Sequence, residues 1–174
     1  MRTLNATLCS LEPQTVAHAH EMFAVLSDPA IYEFENGPPP SEAWLAERYA
    51  RLEQRRSPDG RQLRLNWVIR LPSGELAGYV QATVYESDAA LVAYELASNY
   101  WRRGIGSSAV SAMLNELQTT YRARRFVAVL KRANYRSMAL LRHLGFEPAT
   151  AQQAVEFGAE PDEAVMVKSA ALFL

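Results

Sequence analysis

The segment Tyr100-Trp101-Arg102-Arg103-Gly104-Ile105-Gly106-Ser107-Ser108 joins a run with strand character to a run with helix character, and two glycines fall where the helix begins. Residues without Cβ at that point let backbone N–H groups come close to phosphate oxygens, and the helix dipole adds its attraction. Arg102 and Arg103 stand beside this cradle. A tight strand-to-helix turn also calls for glycine, so the segment takes its meaning from its surroundings. No Gly-Lys pair follows the glycines, which excludes a P-loop. Gly104 to Ala109 satisfies the relaxed dinucleotide fingerprint G-x-G-x-x-A, but the next strand ends in Lys131-Arg132, where that fingerprint needs an acid for a ribose diol. A basic pair there favours more phosphate.

Outward from this segment the periodicity changes twice. Upstream, Leu63, Leu65, Trp67 and Ile69 alternate with Arg64, Asn66, Val68 and Arg70. Ser73-Gly74 then turns the chain into a strand over Leu76 to Tyr85, and Glu86-Ser87-Asp88 into another over Ala90 to Leu96, an antiparallel meander. Downstream, Ile105, Ala109, Met113 and Leu117 recur at helical spacing to about Tyr121. Phe126 to Leu130 is a continuous apolar run, the pattern of a strand covered on both faces. Asn134 to Leu144 is helical and stops at Gly145. Towards the N-terminus, Leu4 to Leu11 reads as a strand and Pro13 to Leu26 as a helix burying Val16, Ala19, Phe23 and Leu26. Ile31 to Pro40 reads as a loop, and a helix capped by Ser41 runs to about Arg56 with Trp44, Leu45, Tyr49 and Leu52 inward. Glu147 to Val155 reads as a weak strand and Ala164 to Lys168 as a better one. The order βααβββαβαββ predicts one α/β (α+β) domain over residues 1–174: a mixed, mostly antiparallel sheet with one parallel crossover and helices on both faces.

The chain has 174 residues, 49% of them apolar and 21% charged, which excludes collagen-like, disulfide-stapled and disordered classes. Its net charge of −1 conceals a segregation. Residues 1–98 carry 8 basic and 13 acidic side chains, residues 99–143 carry 9 and 1, and residues 144–174 carry 1 and 5. The middle segment, with the glycine loop and the cluster Arg122, Arg124, Arg125, Lys131, Arg132 and Arg136, suits a small polyanion. Within that cluster, Arg122, Arg124 and Arg125 read as a solvated helix end complementing the dipole. The basic run lacks interleaved exposed aromatics, so no nucleic acid is expected. The lone Cys9 excludes an internal disulfide, and His18, His20 and His143 form no metal-ligand grouping, so no metal is expected. No stretch approaches the ~20 apolar residues of a membrane span and no leader pattern opens the chain, so the expected location is cytoplasmic.

A second segment, Asn134-Tyr135-Arg136-Ser137-Met138-Ala139-Leu140-Leu141-Arg142-His143-Leu144-Gly145-Phe146, sits at a fixed distance from the first. Together they resemble the GNAT superfamily of acetyl-coenzyme A-dependent N-acetyltransferases, whose loop [QR]-x-x-G-x-[GA] precedes a helix with N-x-x-S that ends in G-F. Leu26-Ser27-Asp28-Pro29 and Tyr100-Trp101 look like its ribosomal-protein N-terminal acetyltransferase branch. The resemblance implies a GNAT-like fold, acetyl-CoA as cosubstrate, and a cofactor site made by Leu96, Ala97, Arg102, Arg103, Gly104, Ile105, Gly106, Ser107, Asn134 and Ser137. Two positions depart from the superfamily pattern: Trp101 replaces Gln or Arg, and Leu141 stands where many members carry a tyrosine general acid.

Acetyl transfer to an amine needs a neutral nucleophile, a donor for the tetrahedral oxyanion and a proton for the sulfur. Glu95, ending the strand before the loop, is the candidate base, acting through a water; the alternative is an exposed strand-end carboxylate. A backbone N–H near Leu96 is the oxyanion donor that the resemblance implies. Ser137 is the proton donor it suggests in place of the missing tyrosine, the alternative being an ordinary first-turn serine. The acceptor expected first is a protein N-terminus, and the alternatives are a small-molecule amine or a coenzyme A-binding module without catalysis. Ile31-Tyr32-Glu33-Phe34-Glu35 is the segment that the resemblance places beside the acceptor. The apolar tail Ala170 to Leu174 is expected to pack on the domain or a second subunit, giving a monomer or homodimer.

Overall fold

The computed structural model describes residues 1–34 and 36–171. Among these residues eight strands form one sheet: β1 (Leu4–Asn5), β2 (Ser10–Pro13), β3 (Leu63–Arg70), β4 (Leu76–Val84), β5 (Ala89–Leu96), β6 (Arg125–Lys131), β7 (Glu147–Pro148) and β8 (Glu163–Ser169). Their spatial order is β1-β2-β3-β4-β5-β6-β8-β7, and every neighbouring pair is antiparallel except β5 and β6. Five helices accompany them: α1 (Ala19–Leu26), α2 (Glu42–Leu52), α3 (Ile105–Thr119), α4 (Tyr135–His143) and α5 (Ala151–Glu156).

Strand alternation assigns the two faces. Trp67, Ile69, Val80, Ala82 and Val92 pack with Ile105, Val110, Met113 and Leu117 of α3 and Leu141 of α4. On the other face Val68, Leu76 and Tyr79 meet Ala19, Met22 and Leu26 of α1 and Leu45 and Tyr49 of α2. Trp67 and Val68, adjacent on β3, are both 0% exposed because helices cover both sides. Leu141, at the position of the missing tyrosine, is 1% exposed and belongs to the first of these cores.

Five local expectations are corrected. Leu4 to Leu11 is two strands rather than one, since the chain reverses between Asn5 and Ser10 and pairs Leu4 with Leu11. Pro13 ends β2 instead of opening a helix, and a 3-10 turn over Val16–His18 precedes α1, leaving Val16 exposed. The loop after α1 begins with a 3-10 turn, Pro29–Tyr32, capped by the Asp28 carboxylate. Trp44 faces outward, 39% exposed, with the Arg48 guanidinium 5.7 Å from its ring centroid. Most of Glu147 to Val155 is α5, not strand. Thr150 and Gln153 form a reciprocal capping box there, and Val155, the last residue of the expected strand, is 81% exposed.

The one parallel pair shapes the molecule. β5 and β6 are in register only at Ala89–Arg125, Ala90–Phe126 and Leu91–Val127, although β5 continues to Leu96 and β6 to Lys131. Beyond Leu91 and Val127 they part. On its other side β5 stays tightly joined to β4, whose register with β3 jumps so that Gly78 pairs Ile69 while Leu76 pairs Arg70. This bulge presses Gly78 against β5: a Cβ there would lie 2.0 Å from the Glu95 carbonyl oxygen and 2.9 Å from Leu96 Cα. Since those atoms are backbone, no rotamer relieves the clash.

The Gly78→Ala variant is therefore expected to lose about 1–3 kcal/mol of stability, the usual scale of overpacking. Gly37, where an added methyl group would meet nothing within 4 Å, is the control. Urea unfolding of Gly78→Ala and Gly37→Ala checks this, and equal midpoints would contradict it.

Candidate functional site

The end of β5, beyond its last pairing with β6, forms one wall of a cleft of about 660 Å³, within the range typical of small-molecule and cofactor sites. Tyr94, Glu95 and Leu96 of β5 line it, with the glycine loop on one side and Asn134 to Ser137, Ala139 and Leu140 of the α4 region on another. Ile31 and Phe34 close its remaining edge.

Strand alternation divides the β5 residues by role. Tyr94 and Leu96 pack towards α3 and α4. Glu95 pairs in register with Tyr79, which packs with the α1 and α2 core, so Glu95 turns to the opposite face. The acid and the glycine loop thus reach the cleft from opposite sides of the sheet. Burial pushes the Tyr32 hydroxyl up to about 12, with Glu95 and Asp28 adding to the shift, and burial pushes Tyr94 to about 12 as well. Both phenols therefore stay protonated near neutrality.

The Ala97 N–H donates to the Ala77 carbonyl at 2.9 Å. Neighbouring peptide groups on a strand point to opposite sides, so the Leu96 N–H is turned from β4 into the gap. The Leu96 carbonyl accepts the Trp101 indole N–H at 2.7 Å. Trp101 thus ties the loop to the end of β5, a use for the position where the superfamily pattern has Gln or Arg.

The loop ends in a helix start that is open to a ligand. Arg102 and Gly104 both have left-handed backbones, with φ of 60° and 77°. Gly104 occupies the N-cap of α3, no side chain caps that terminus, and no acid lies in the first turn. By contrast Ser41 caps α2 and Asn134 caps α4. The first N–H groups of α3 therefore lack an intrahelical or side-chain acceptor among the described residues, the arrangement that a pyrophosphate fits. Gly106 serves packing also, because a Cβ there would come within 3.0 Å of Leu140 on α4.

The Asn134 side chain accepts the Ser137 N–H at 3.1 Å, leaving its amide N–H₂ as the group available to a ligand. Tyr94 donates its hydroxyl to the Ser137 carbonyl at 3.2 Å, bridging β5 to α4 across the gap. Of the sequence-derived site, Glu95, Leu96, Arg102, Gly104, Ile105, Gly106, Ser107, Asn134 and Ser137 line the cleft together. Ala97 is buried and its N–H is held by β4, and Arg103 is exposed outside the lining. Sequence reasoning passed over Gly78, whose signal was a glycine inside a strand, and Tyr94, which carried none.

The basic segment is distributed differently from its sequence impression. Lys131 lies 3.1 Å from both Glu160 and Asp162 and 3.4 Å from Glu163, and the first two hold its ammonium well above the usual lysine range. Arg125 pairs with Glu156 at 2.6 Å. The acidic C-terminal flank thus neutralises basic groups remote from the cleft. Among the described residues, Arg102 and Arg136 are the cations that line it. Among the described residues no cluster of three or more His, Cys, Asp or Glu is arranged to hold a metal ion, and no helix is long and apolar enough to cross a membrane. Of the tail, Ala170 donates its N–H to the Arg124 carbonyl and Ala171 accepts from Gln118, while residues 172–174 lie outside the described part.

Replacing Arg102 by Ala is expected to weaken coenzyme A binding about fivefold at low salt, and less at high salt, whereas Lys131→Ala changes it less than about twofold. Calorimetric titration at two ionic strengths separates the two.

Comparison with known proteins agrees with this geometry. A model of the GNAT acetyltransferase domain matches residues 9–147. No curated protein matches the sequence. Among solved structures, a RimL ribosomal L7/L12 α-N-protein acetyltransferase in complex with coenzyme A superposes with a TM-score of 0.79 at 20% identity, covering 96% of this chain and 97% of that one. A GNAT-family acetyltransferase from Bacillus anthracis gives 0.74 at 14% identity, covering 96% and 98%. An acetyltransferase from Thermus thermophilus gives 0.74 at 19%, covering 96% and 100%. With the family model spanning most of the chain and the cleft built as described, this protein belongs to the GNAT family and is an acetyl-CoA-dependent N-acetyltransferase.

Proposed function

We propose that residues 1–174 act as a single cytoplasmic acetyltransferase domain that transfers acetyl to the α-amine of a protein N-terminus, by direct attack in a ternary complex. The observation that carries this is the placement of Glu95 on the face opposite the glycine loop, with the gap between β5 and β6 connecting the two sides. A donor held along α3 and α4 and an amine approaching past Ile31 and Phe34 meet at the end of β5. The likeness to the RimL acetyltransferase supports the choice of acceptor.

The residues divide the work. The N–H groups opening α3, with Arg102, hold the pyrophosphate, and the Asn134 amide holds the pantetheine arm. Glu95 removes a proton from the ammonium form through a water, and the neutral amine attacks the thioester carbonyl carbon. The Leu96 N–H donates to the oxygen as it gains charge. When the carbon–sulfur bond breaks, the nitrogen sheds its extra proton as it becomes the amide, and Ser137 passes its hydroxyl proton to the departing thiolate and is restored by that released proton. An α-amine has a pKa near ~8, so a weak base is enough; a lysine near ~10.4 demands more.

A panel of peptides with free or blocked N-termini, free lysine and polyamines, assayed for thiol release from acetyl-CoA, tests the reading. Free N-termini are expected to be acetylated at a rate that rises with pH through a midpoint near ~8 and levels off above it. Glu95→Gln is expected to lower kcat about 100-fold, the low end of general-base effects, and Ser137→Ala about tenfold. Turnover confined to small amines would transfer the assignment to a small-molecule enzyme, and turnover of none would leave a coenzyme A-binding module.

A further inference from the structure

Segment 29–34 forms a lip along the acceptor edge of the cleft, contributing Ile31 and Phe34 to its lining. Its root is fixed by Asp28, whose carboxylate accepts the Ala30 N–H at 3.0 Å and the Ser98 N–H at 2.7 Å. Ser98 lies two residues beyond Leu96, so this carboxylate fastens the lip to the end of β5. Within the root, the Tyr32 hydroxyl donates to the Leu26 carbonyl at 2.7 Å. The tip is held quite differently.

At the tip, the Glu33 carboxylate lies 2.5 Å from Nη2 of Arg136, and the Phe34 ring centroid lies 5.1 Å from its guanidinium carbon. Arg136 itself belongs to the first turn of α4. Its guanidinium lies 4.3 Å from the centroid of Trp101, in the glycine loop, and 5.2 Å from that of Tyr135, to whose hydroxyl it also donates at 3.1 Å. Phe34 and Tyr135 meet edge to face at 6.2 Å. One planar cation thus joins the lip, the glycine loop and α4, which are distant in sequence. The N-x-x-S motif leaves this position open, so the family pattern does not account for it.

We propose that Arg136 is a positioning residue for the acceptor: its guanidinium latches the lip onto the two cofactor-binding walls and so sets the affinity for the amine. This rests on the reading that the amine enters past the lip. An exposed ion pair alone holds such a contact weakly, because solvent screens it. Stacking on Trp101 and Phe34 supplies what the charge does not, and it demands the flat fork of arginine in preference to the point charge of lysine. The pair with Glu33 also distinguishes Arg136 from a phosphate ligand, since its fork is engaged by the lip.

Three variants test the latch: Glu33→Gln keeps the ring contacts, Arg136→Lys keeps the charge, and Arg136→Ala keeps neither. With the best acceptor of the panel above, Arg136→Ala is expected to raise the acceptor KM about tenfold, on the scale of the lost cation–π contacts, and by more than it lowers kcat. Arg136→Lys is expected to fall closer to Arg136→Ala than to the parent, and Glu33→Gln closer to the parent. The KM for acetyl-CoA is expected to stay within about twofold, the residual effect of an exposed charge. Hydrogen exchange, which needs no acceptor, is expected to speed up in residues 29–34 of Arg136→Ala while the sheet is unchanged. An unchanged acceptor KM, full rescue by lysine, or unchanged exchange in the lip would overturn the latch. A rise in the acetyl-CoA KM matching that of the acceptor would make Arg136 a cofactor ligand instead. If no amine is acetylated, the acceptor reading fails, and the exchange measurement still decides whether Arg136 holds the lip.

Discussion

The parting of β5 from β6 after Leu91 and Val127 is the constraint on which the rest of the site depends. Two parallel strands that stayed in register to Leu96 would fill the space where the cleft lies and would pair the Leu96 N–H with a carbonyl of β6. Parting leaves that donor turned into a gap. Backbone polar groups without a strand partner are costly unless something else meets them, and here the Trp101 indole takes the Leu96 carbonyl. The bulge at Gly78 keeps β5 pressed to β4 at the same level, so the gap opens on one side only.

Electrostatics follow from this frame more than from the count of charges. The middle of the chain is rich in arginine, yet Lys131 and Arg125 are matched by Glu160, Asp162, Glu163 and Glu156, all from the acidic C-terminal flank. What faces the cleft is a small set of oriented groups: the uncapped start of α3, Arg102, and an arginine held by three rings. Oriented backbone dipoles lose no side-chain entropy when a phosphate arrives. Of the two arginines, Arg136 is already paired with Glu33, so Arg102 and these dipoles are what the cleft offers an anion.

The glycine loop illustrates how much a local motif carries. Its two glycines were legible as the opening of a helix because a left-handed N-cap and an unprotected helix start are local properties of the chain, and Gly104 has the positive φ that they require. Gly106 was legible as a glycine but not as a packing residue, because its neighbour Leu140 arrives from a different helix. Asn134 and Ser137 were legible together, since the capping geometry that joins them spans a single turn. Where sequence reading failed, at Val16 and Trp44, apolar residues were taken as buried and proved to lie on the surface, and the stretch ending in Val155 was read as strand where a capped helix forms.

By itself the sequence determined the mixed sheet, the crossover around α3, the glycine loop and the family resemblance, because these rest on period, turn chemistry and motifs confined to short spans. The tertiary structure alone decided which side of the sheet Glu95 serves, where the strands part, which cations are neutralised, and that Arg136 reaches the lip and the loop at once. Each of these is a relation between segments far apart along the chain. It is set by register and by packing across the sheet, and no local pattern encodes it.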